Sequence, residues 1–251
     1  MARQILRNDQ WDRISGLPPG KAGDPGVTAK DPRRFVEAVL WILRTGAPWR
    51  DWPPELGNWH TTYTRFPRWN RTGVWARLLE AVSSDADREE VLLDSSAIRA
   101  HPHAAVAQKK HGAQVSGRSR GGWGTKIRRI ADTLGNPLTF RLAGAEQADI
   151  TQAQPLLETI GSPGAVIAEK GCDADDFVAA MDTIGAQPVI PPRSNQRPPR
   201  VWDKDRYRAR HLIENPFACL KPFRRLATRY DKLASQFAAF VILASTCVWI
   251  D

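Results

Sequence analysis

What most limits the folds open to this chain is the order of its apolar runs between residues 91 and 190. Val91–Leu93 is a short run that ends on Asp94. Thr125–Asp132 alternates basic and apolar residues, Leu138–Leu142 is apolar, and Gly135-Asn136 between them is a hairpin-turn sequence. Gln152–Ile160 has helical spacing. Ala165–Ala168 is a buried-type strand running into Glu169, Asp175–Ile184 is helical, and Gln187–Ile190 is a fifth strand closed by Pro191-Pro192. A polar, proline-rich stretch, Arg193–Trp202, precedes a long helical pattern that begins near Asp205.

Three successive strands followed by helix, strand, helix, strand, helix predict an α/β domain of ribonuclease-H-like type: a mixed five-stranded sheet with flanking helices. The first 85 residues differ in character and hold seven of the ten tryptophans, so a separate small domain is expected there. Within it, Pro32–Leu43 is helical and ends at Gly46, a natural C-terminal cap, and His60–Trp69 and Val74–Val82 read as two more helices. With Arg65, Arg68, Arg71 and Arg77 on its faces, this unit has what a helix-turn-helix-like DNA-binding domain requires. The predicted division is residues 1–85, helical, and 86–251, ribonuclease-H-like.

A net charge of +9 and a pI near 9.9 favour a polyanionic partner, because each phosphate contact releases counterions. Phe237–Trp249 is the longest apolar stretch, too short to span a membrane and broken by Ser245 and Thr246. Three scattered cysteines argue against a disulfide framework. A cytoplasmic, nucleoid-associated protein with no membrane partner is expected.

Phosphoryl chemistry assisted by two divalent cations needs acidic oxygens at one place. Asp94 and Glu169, each directly after an apolar strand, are the first two candidates. Tyr207, Arg210, Glu214 and Lys221 fall at offsets that place them on one helical face at about 100° per residue. A carboxylate there, flanked by cations for phosphate, completes a coherent nucleic-acid site.

The pattern Tyr207-x₂-Arg210-x₃-Glu214-x₆-Lys221 resembles the signature of the IS4/IS5-type DDE insertion-sequence transposases. Arg44–Pro53, Leu93–His101, Gly117–Lys126, Val189–Pro192 and Phe223–Lys232 are similar to stretches of the IS5 family specifically. The resemblance implies a transposase that binds terminal inverted repeats, cleaves DNA strands and transfers them to a target. It implies Asp94, Glu169 and Glu214 as the catalytic, metal-binding carboxylates, with two Mg²⁺ ions for which Mn²⁺ can substitute. Tyr207, Arg210 and Lys221 would position DNA. Since two ends must be cut and joined together, a dimer or higher assembly on double-stranded DNA is expected. Four positions depart from the family pattern and bear on activity: Glu169 stands where an aspartate is usual, Cys172 for a tyrosine, and Asn215-Pro216 follow Glu214.

Further DNA contacts are expected from Arg118, Arg120 and Lys126, in a glycine-rich segment that permits close backbone approach. Arg224, Arg225 and Arg229 form a basic run with Lys232. His101 and His103 lack partners at zinc spacing and read as non-ligands. The alternatives are a catalytically impaired copy acting only as a sequence-specific DNA-binding protein, favoured by the four departures, and a structure-specific nuclease on the same fold.

Overall fold

The computed structural model describes residues 6–21, 23–24, 29–105, 115–148, 150–194, 198–212 and 218–251. In chain order the elements are α1 (Asn8–Ile14), α2 (Pro32–Thr45), α3 (Trp59–Arg71), α4 (Val74–Val82), β1 (Glu90–Ala100) and α5 (Pro102–Ala105). Then come β2 (Gly117–Ser119), β3 (Gly122–Ala131), β4 (Pro137–Gly144), α6 (Ile150–Leu157), β5 (Ala165–Ala168) and α7 (Asp175–Thr183). The last are β6 (Gln187–Val189), α8 (Lys204–Leu212), α9 (Arg224–Ala227), β7 (Thr228–Arg229) and α10 (Ala234–Ile250). Among the described residues, no helix is long and apolar enough to cross a membrane.

Two compact units result. The first comprises Met1–Ser84, His101–Gln114 and Leu220–Asp251; the second comprises Asp85–Ala100 and Val115–Cys219. The break falls between Ser84 and Asp85, and the C-terminal segment Leu220–Asp251 groups with the first unit. Its main element explains why: α10 is apolar around its whole circumference, as a helix surrounded by protein must be. It packs on α2, α3 and α4.

In the first unit, α2 starts where Asp31 accepts a hydrogen bond from the Arg34 N–H ahead of Pro32, and ends at Gly46, whose φ of 69° needs no Cβ. Phe35 meets Trp69 edge-on at 4.6 Å, and Phe66 stacks on Phe240 of α10 at 4.5 Å. Arg65, expected on a DNA-facing surface, lies with its guanidinium 4.3 Å over the Phe35 ring and 4.7 Å over Trp69. Burial and the neighbouring Arg68 charge push its pKa down. Arg68 and Arg71 are exposed.

The second unit is a mixed sheet in the order β2-β3-β1-β5-β6, with β4 also on β3. β3 runs antiparallel to β1, β2 and β4, while β5 is parallel to β1 and to β6. The runs expected as strands correspond to β1, β3, β4, β5 and β6, and the short β2 adds a further strand in the glycine-rich segment 117–126. The β3–β4 turn is built on Asp132, whose carboxylate accepts from the Leu134 and Asn136 N–H groups and from the Asn136 side chain. At Gly124 on β3 a Cβ would lie 2.6 Å from the Ile98 carbonyl oxygen, so the close β1–β3 approach requires glycine.

Alternation gives the sheet two buried faces. Val91, Leu93, Val166 and Ala168 pack with α6 and α7; Leu92, Ala165, Ile167 and Val189 form the other face, against Tyr207 of α8. Asp203 caps α8 by accepting from the Asp205 and Arg206 N–H groups. Arg206 fastens it to the sheet through Glu90 (3.3 Å) and Gln187 (2.6 Å).

Candidate active site

Asp94 and Glu169 come together because of strand register. The parallel β1–β5 ladder ends at the pair Leu93↔Ala168, so Asp94 and Glu169 are the next residues on neighbouring strands. By alternation both project from the face that carries Leu92 and Ile167, the side on which α8 packs. β1 does not stop at Asp94, as the sequence suggested. It continues to Ala100, held by antiparallel pairing with β3 long after β5 has ended. Asp94 is therefore the first position at which β1 loses its parallel neighbour, and the lost neighbour makes room for a cleft.

That cleft opens to solvent and is lined by Leu93, Asp94, Ser95, Arg128, Glu169, Gly171 and Cys172. Asp94 is half-buried and accepts from the Ser95 N–H at 2.8 Å. Glu169 is exposed and begins a tight turn in which the Cys172 N–H donates to the Glu169 carbonyl at 2.8 Å. The turn is clamped from behind. Arg193 donates to the Gly171 carbonyl, and buried Asp173 accepts from the Arg193 N–H and from Arg200, which also pairs with Asp175. Two carboxylates supplied by adjacent strands, one on a braced turn, are hard oxygen donors of the kind Mg²⁺ or Mn²⁺ takes. Among the described residues no group of three or more His, Cys, Asp or Glu side chains converges. Glu214, the third expected carboxylate, lies outside the described residues.

Of the residues expected on one helical face, Lys221 does not lie on α8. α8 (Lys204–Leu212) carries Tyr207 and Arg210, while Lys221 sits in a turn beyond Ala218–Leu220. Pro222 is consistent with the turn at Lys221, because it disfavours helical backbone at the residue before it. The Tyr207 ring is used in packing, 5.1 Å edge-on to Trp202 and against the β5–β6 face. The Arg210 side chain lies outside the described residues.

The other predicted DNA contacts divide sharply. Arg118 and Arg120 are exposed on the β2–β3 hairpin, Arg118 directly opposite Trp123, which is 48% exposed. Lys221 and Arg224 are exposed as well. Lys126 is half-buried and donates to the Gln147 carbonyl at 3.0 Å. Arg225 and Arg229, also expected to contact DNA, are instead interior residues. Arg225 forms a two-pronged ion pair with buried Asp231 at 2.7 and 3.1 Å, its guanidinium lying over Phe240. Arg229 donates to the Asp231 and Lys232 carbonyls and lies over Phe237, and burial pushes its pKa down against the pull of Asp231. A guanidinium satisfied in this way is not available to phosphate.

Sequence reasoning missed the arginine pair of β3. Arg128 and Arg129 are each 1% exposed. Arg129, opposite Asp94 in the ladder, donates to the Cys219 sulfur at 3.7 Å. Burial pushes its pKa down, while Cys219 and the Asp94 and Asp132 carboxylates oppose that shift. Arg128 donates to the Gln147 and Ala148 carbonyls, both at 2.8 Å. The signal was present as an Arg-Arg dipeptide that interrupts the alternation of basic and apolar residues along β3. His101 stacks on Tyr230 at 4.9 Å and meets His103 edge-on at 4.8 Å, and among the described residues no third metal-ligating side chain joins them.

A family model described as "Transposase DDE domain" matches residues 85–249, and one described as "Putative transposase of IS4/5 family" matches residues 6–79. The chain is 34% identical over 129 residues to the "Putative transposase for insertion sequence element IS6501" of Brucella ovis, covering 50% of this chain and 98% of that protein. It is 30% identical over 131 residues to the "Putative transposase for insertion sequence element IS402" of Burkholderia cepacia, covering 48% of this chain and 60% of that one. Among solved structures, a piggyBac transposase synaptic complex with hairpin DNA superposes with a TM-score of 0.53 at 8% identity, over 96% of this chain and 69% of that one. That likeness concerns fold alone.

Proposed function

The chain belongs to the DDE transposase family of the IS4/5 group, and we propose that it binds the terminal inverted repeats of an insertion sequence, cleaves strands there and transfers them to target DNA. The observation that carries this reading is the register-driven meeting of Asp94 and Glu169 in one cleft. The domain implies a divalent cation, and Asp94 and Glu169 would hold it, with Glu214 as the third carboxylate. Bound there, Mg²⁺ or Mn²⁺ would lower the pKa of an attacking water or 3′-hydroxyl and offset charge on the leaving oxygen.

The protein's own share is orientation. The Arg193–Asp173–Arg200 clamp fixes the turn that presents Glu169, and β3 fixes the strand that presents Asp94. Arg118 and Arg120, on a hairpin whose Gly121-Gly122 turn allows close approach, would take DNA phosphates. Arg68 and Arg71 would do so from the helical unit, read as helix-turn-helix-like, and Lys221 and Arg224 would add further contacts. Two ends must be processed together, so a dimer or larger assembly on the paired ends follows.

The test is incubation of the full chain with linear DNA carrying the element's own ends, with Mg²⁺, Mn²⁺ or a chelator. Nicks at the repeat boundaries that need the cation and are absent on scrambled ends support the proposal. Cleavage without repeat preference would favour a nuclease instead.

A further inference from the structure

All ten tryptophans lie among the described residues, and Trp123 alone is exposed, at 48%. An indole left in water forgoes the burial that the other nine obtain, and a ligand that covers it recovers that burial. Trp123 stands near the start of β3, directly opposite Arg118 of β2. Directly opposed residues of an antiparallel pair share a face, with Cβ atoms about 5 Å apart, so indole and guanidinium lie side by side. Ser119 closes the hairpin that carries them: its hydroxyl accepts from the Gly121 N–H at 3.2 Å and donates to the Gly122 carbonyl at 3.3 Å. The pair is therefore held in place before any ligand arrives. Residues 117–126 carry Arg118, Arg120 and Lys126 and no carboxylate, which suits a polyanion.

Strand register also relates the pair to the cleft. β1 and β3 pair Asp94 with Arg129 and Ile98 with Thr125, so alternation along β3 puts Trp123 on the Asp94 face of the sheet. Thr125, Ile127 and Arg129 on that face are buried, and the face returns to solvent at Trp123. From Arg129 to Trp123 the strand runs on the order of 20 Å. That is roughly six steps of helical DNA, short enough for one DNA end to meet both places at once.

Resting on the transposase reading above, we propose that Trp123 and Arg118 form a one-nucleotide platform that takes an unpaired nucleotide of the DNA end. The base stacks on the indole, and its phosphate meets the Arg118 guanidinium. Paired bases are already stacked on their neighbours and show only their edges in a groove, so the platform favours a strand that is locally opened. Every base has a π-face, so it adds affinity without reading sequence.

The test is binding of the full chain to end DNA in which a tetrahydrofuran abasic residue replaces one nucleotide at a time on either side of the cut. The native chain is expected to lose about tenfold in affinity when the abasic residue falls at one position, no more than roughly six nucleotides from the cut, and little elsewhere. Trp123→Ala is expected to bind intact ends about tenfold more weakly and to show no further loss at that position. Trp123→Phe keeps a π-face and is expected to stay within about threefold of native, with the native profile. An indole that only supports the hairpin would weaken intact and abasic ends by one common factor, and that result overturns the proposal. Native affinity in Trp123→Ala overturns it too. Ends bound no better than scrambled DNA by the native chain would instead overturn the repeat-binding reading on which the platform rests.

Discussion

Two arginine-bearing segments, 118–120 on the β2–β3 hairpin and 224–229 after α8, read alike in the sequence and end in opposite environments. Arg118 and Arg120 face solvent beside an exposed tryptophan. Arg225 and Arg229 are interior, saturated by Asp231, two carbonyls and the rings of Phe240 and Phe237. A cluster of cations in a sequence therefore reports surface charge only where no carboxylate and no aromatic face lies within reach to take it in. Asp231, six residues after Arg225, was the visible warning.

The contrast can be broken by exchanging the assay. Arg225→Ala leaves Asp231 buried without its partner and is expected to cost about 3–5 kcal/mol of stability, seen as a lowered denaturation midpoint. Arg118→Ala should leave that midpoint within about 0.5 kcal/mol. Gly124→Ala, forced against the Ile98 carbonyl, is expected to cost about 1–3 kcal/mol in the same experiment. In binding to end DNA the order reverses. Arg118→Ala and Arg120→Ala should each lower the slope of log affinity against log salt by about 0.9, the signature of one lost phosphate contact. If Arg225→Ala lost that slope and kept its stability, the assignment of the two segments would be wrong.

The smallest effect concerns Cys247, whose thiol burial pushes up to about 12 from 9.0. A raised folded-state pKa means that the protonated thiol contributes stability in full below about pH 9 and loses it as pH rises toward 12. Between those values the native chain should lose slightly more stability than Cys247→Ala, and alkylation of Cys247 at pH 9 should track unfolding.

Much of the second unit was legible because its strands are short apolar runs bounded by turn residues, and the turn at Asp132–Asn136 falls where Gly135-Asn136 predicted it. Asp94 and Glu169 were legible as carboxylates after such runs, although the extension of β1 to Ala100 was not, since it depends on β3 rather than on local sequence. The placement of α10 with the N-terminal helices is a long-range packing result that no local pattern carries. Arg128 and Arg129 were missed because an alternation of basic and apolar residues reads as a strand with one solvated face, whereas both arginines are buried. Lys221, read on one helical face with Tyr207, lies instead in a turn just before Pro222, a stop signal that the matching spacing outweighed.

The central claim is that Asp94 and Glu169 form one catalytic site, and near-isosteric substitution tests it most directly. Asp94→Asn and Glu169→Gln keep shape and remove charge, so both proteins should fold and bind end DNA with native affinity. Cation-dependent nicking at the repeat boundary should fall by roughly 10³-fold or more in each, the loss expected when several kcal/mol of metal-borne stabilisation disappears. Nicking at the native rate by either variant would contradict the account.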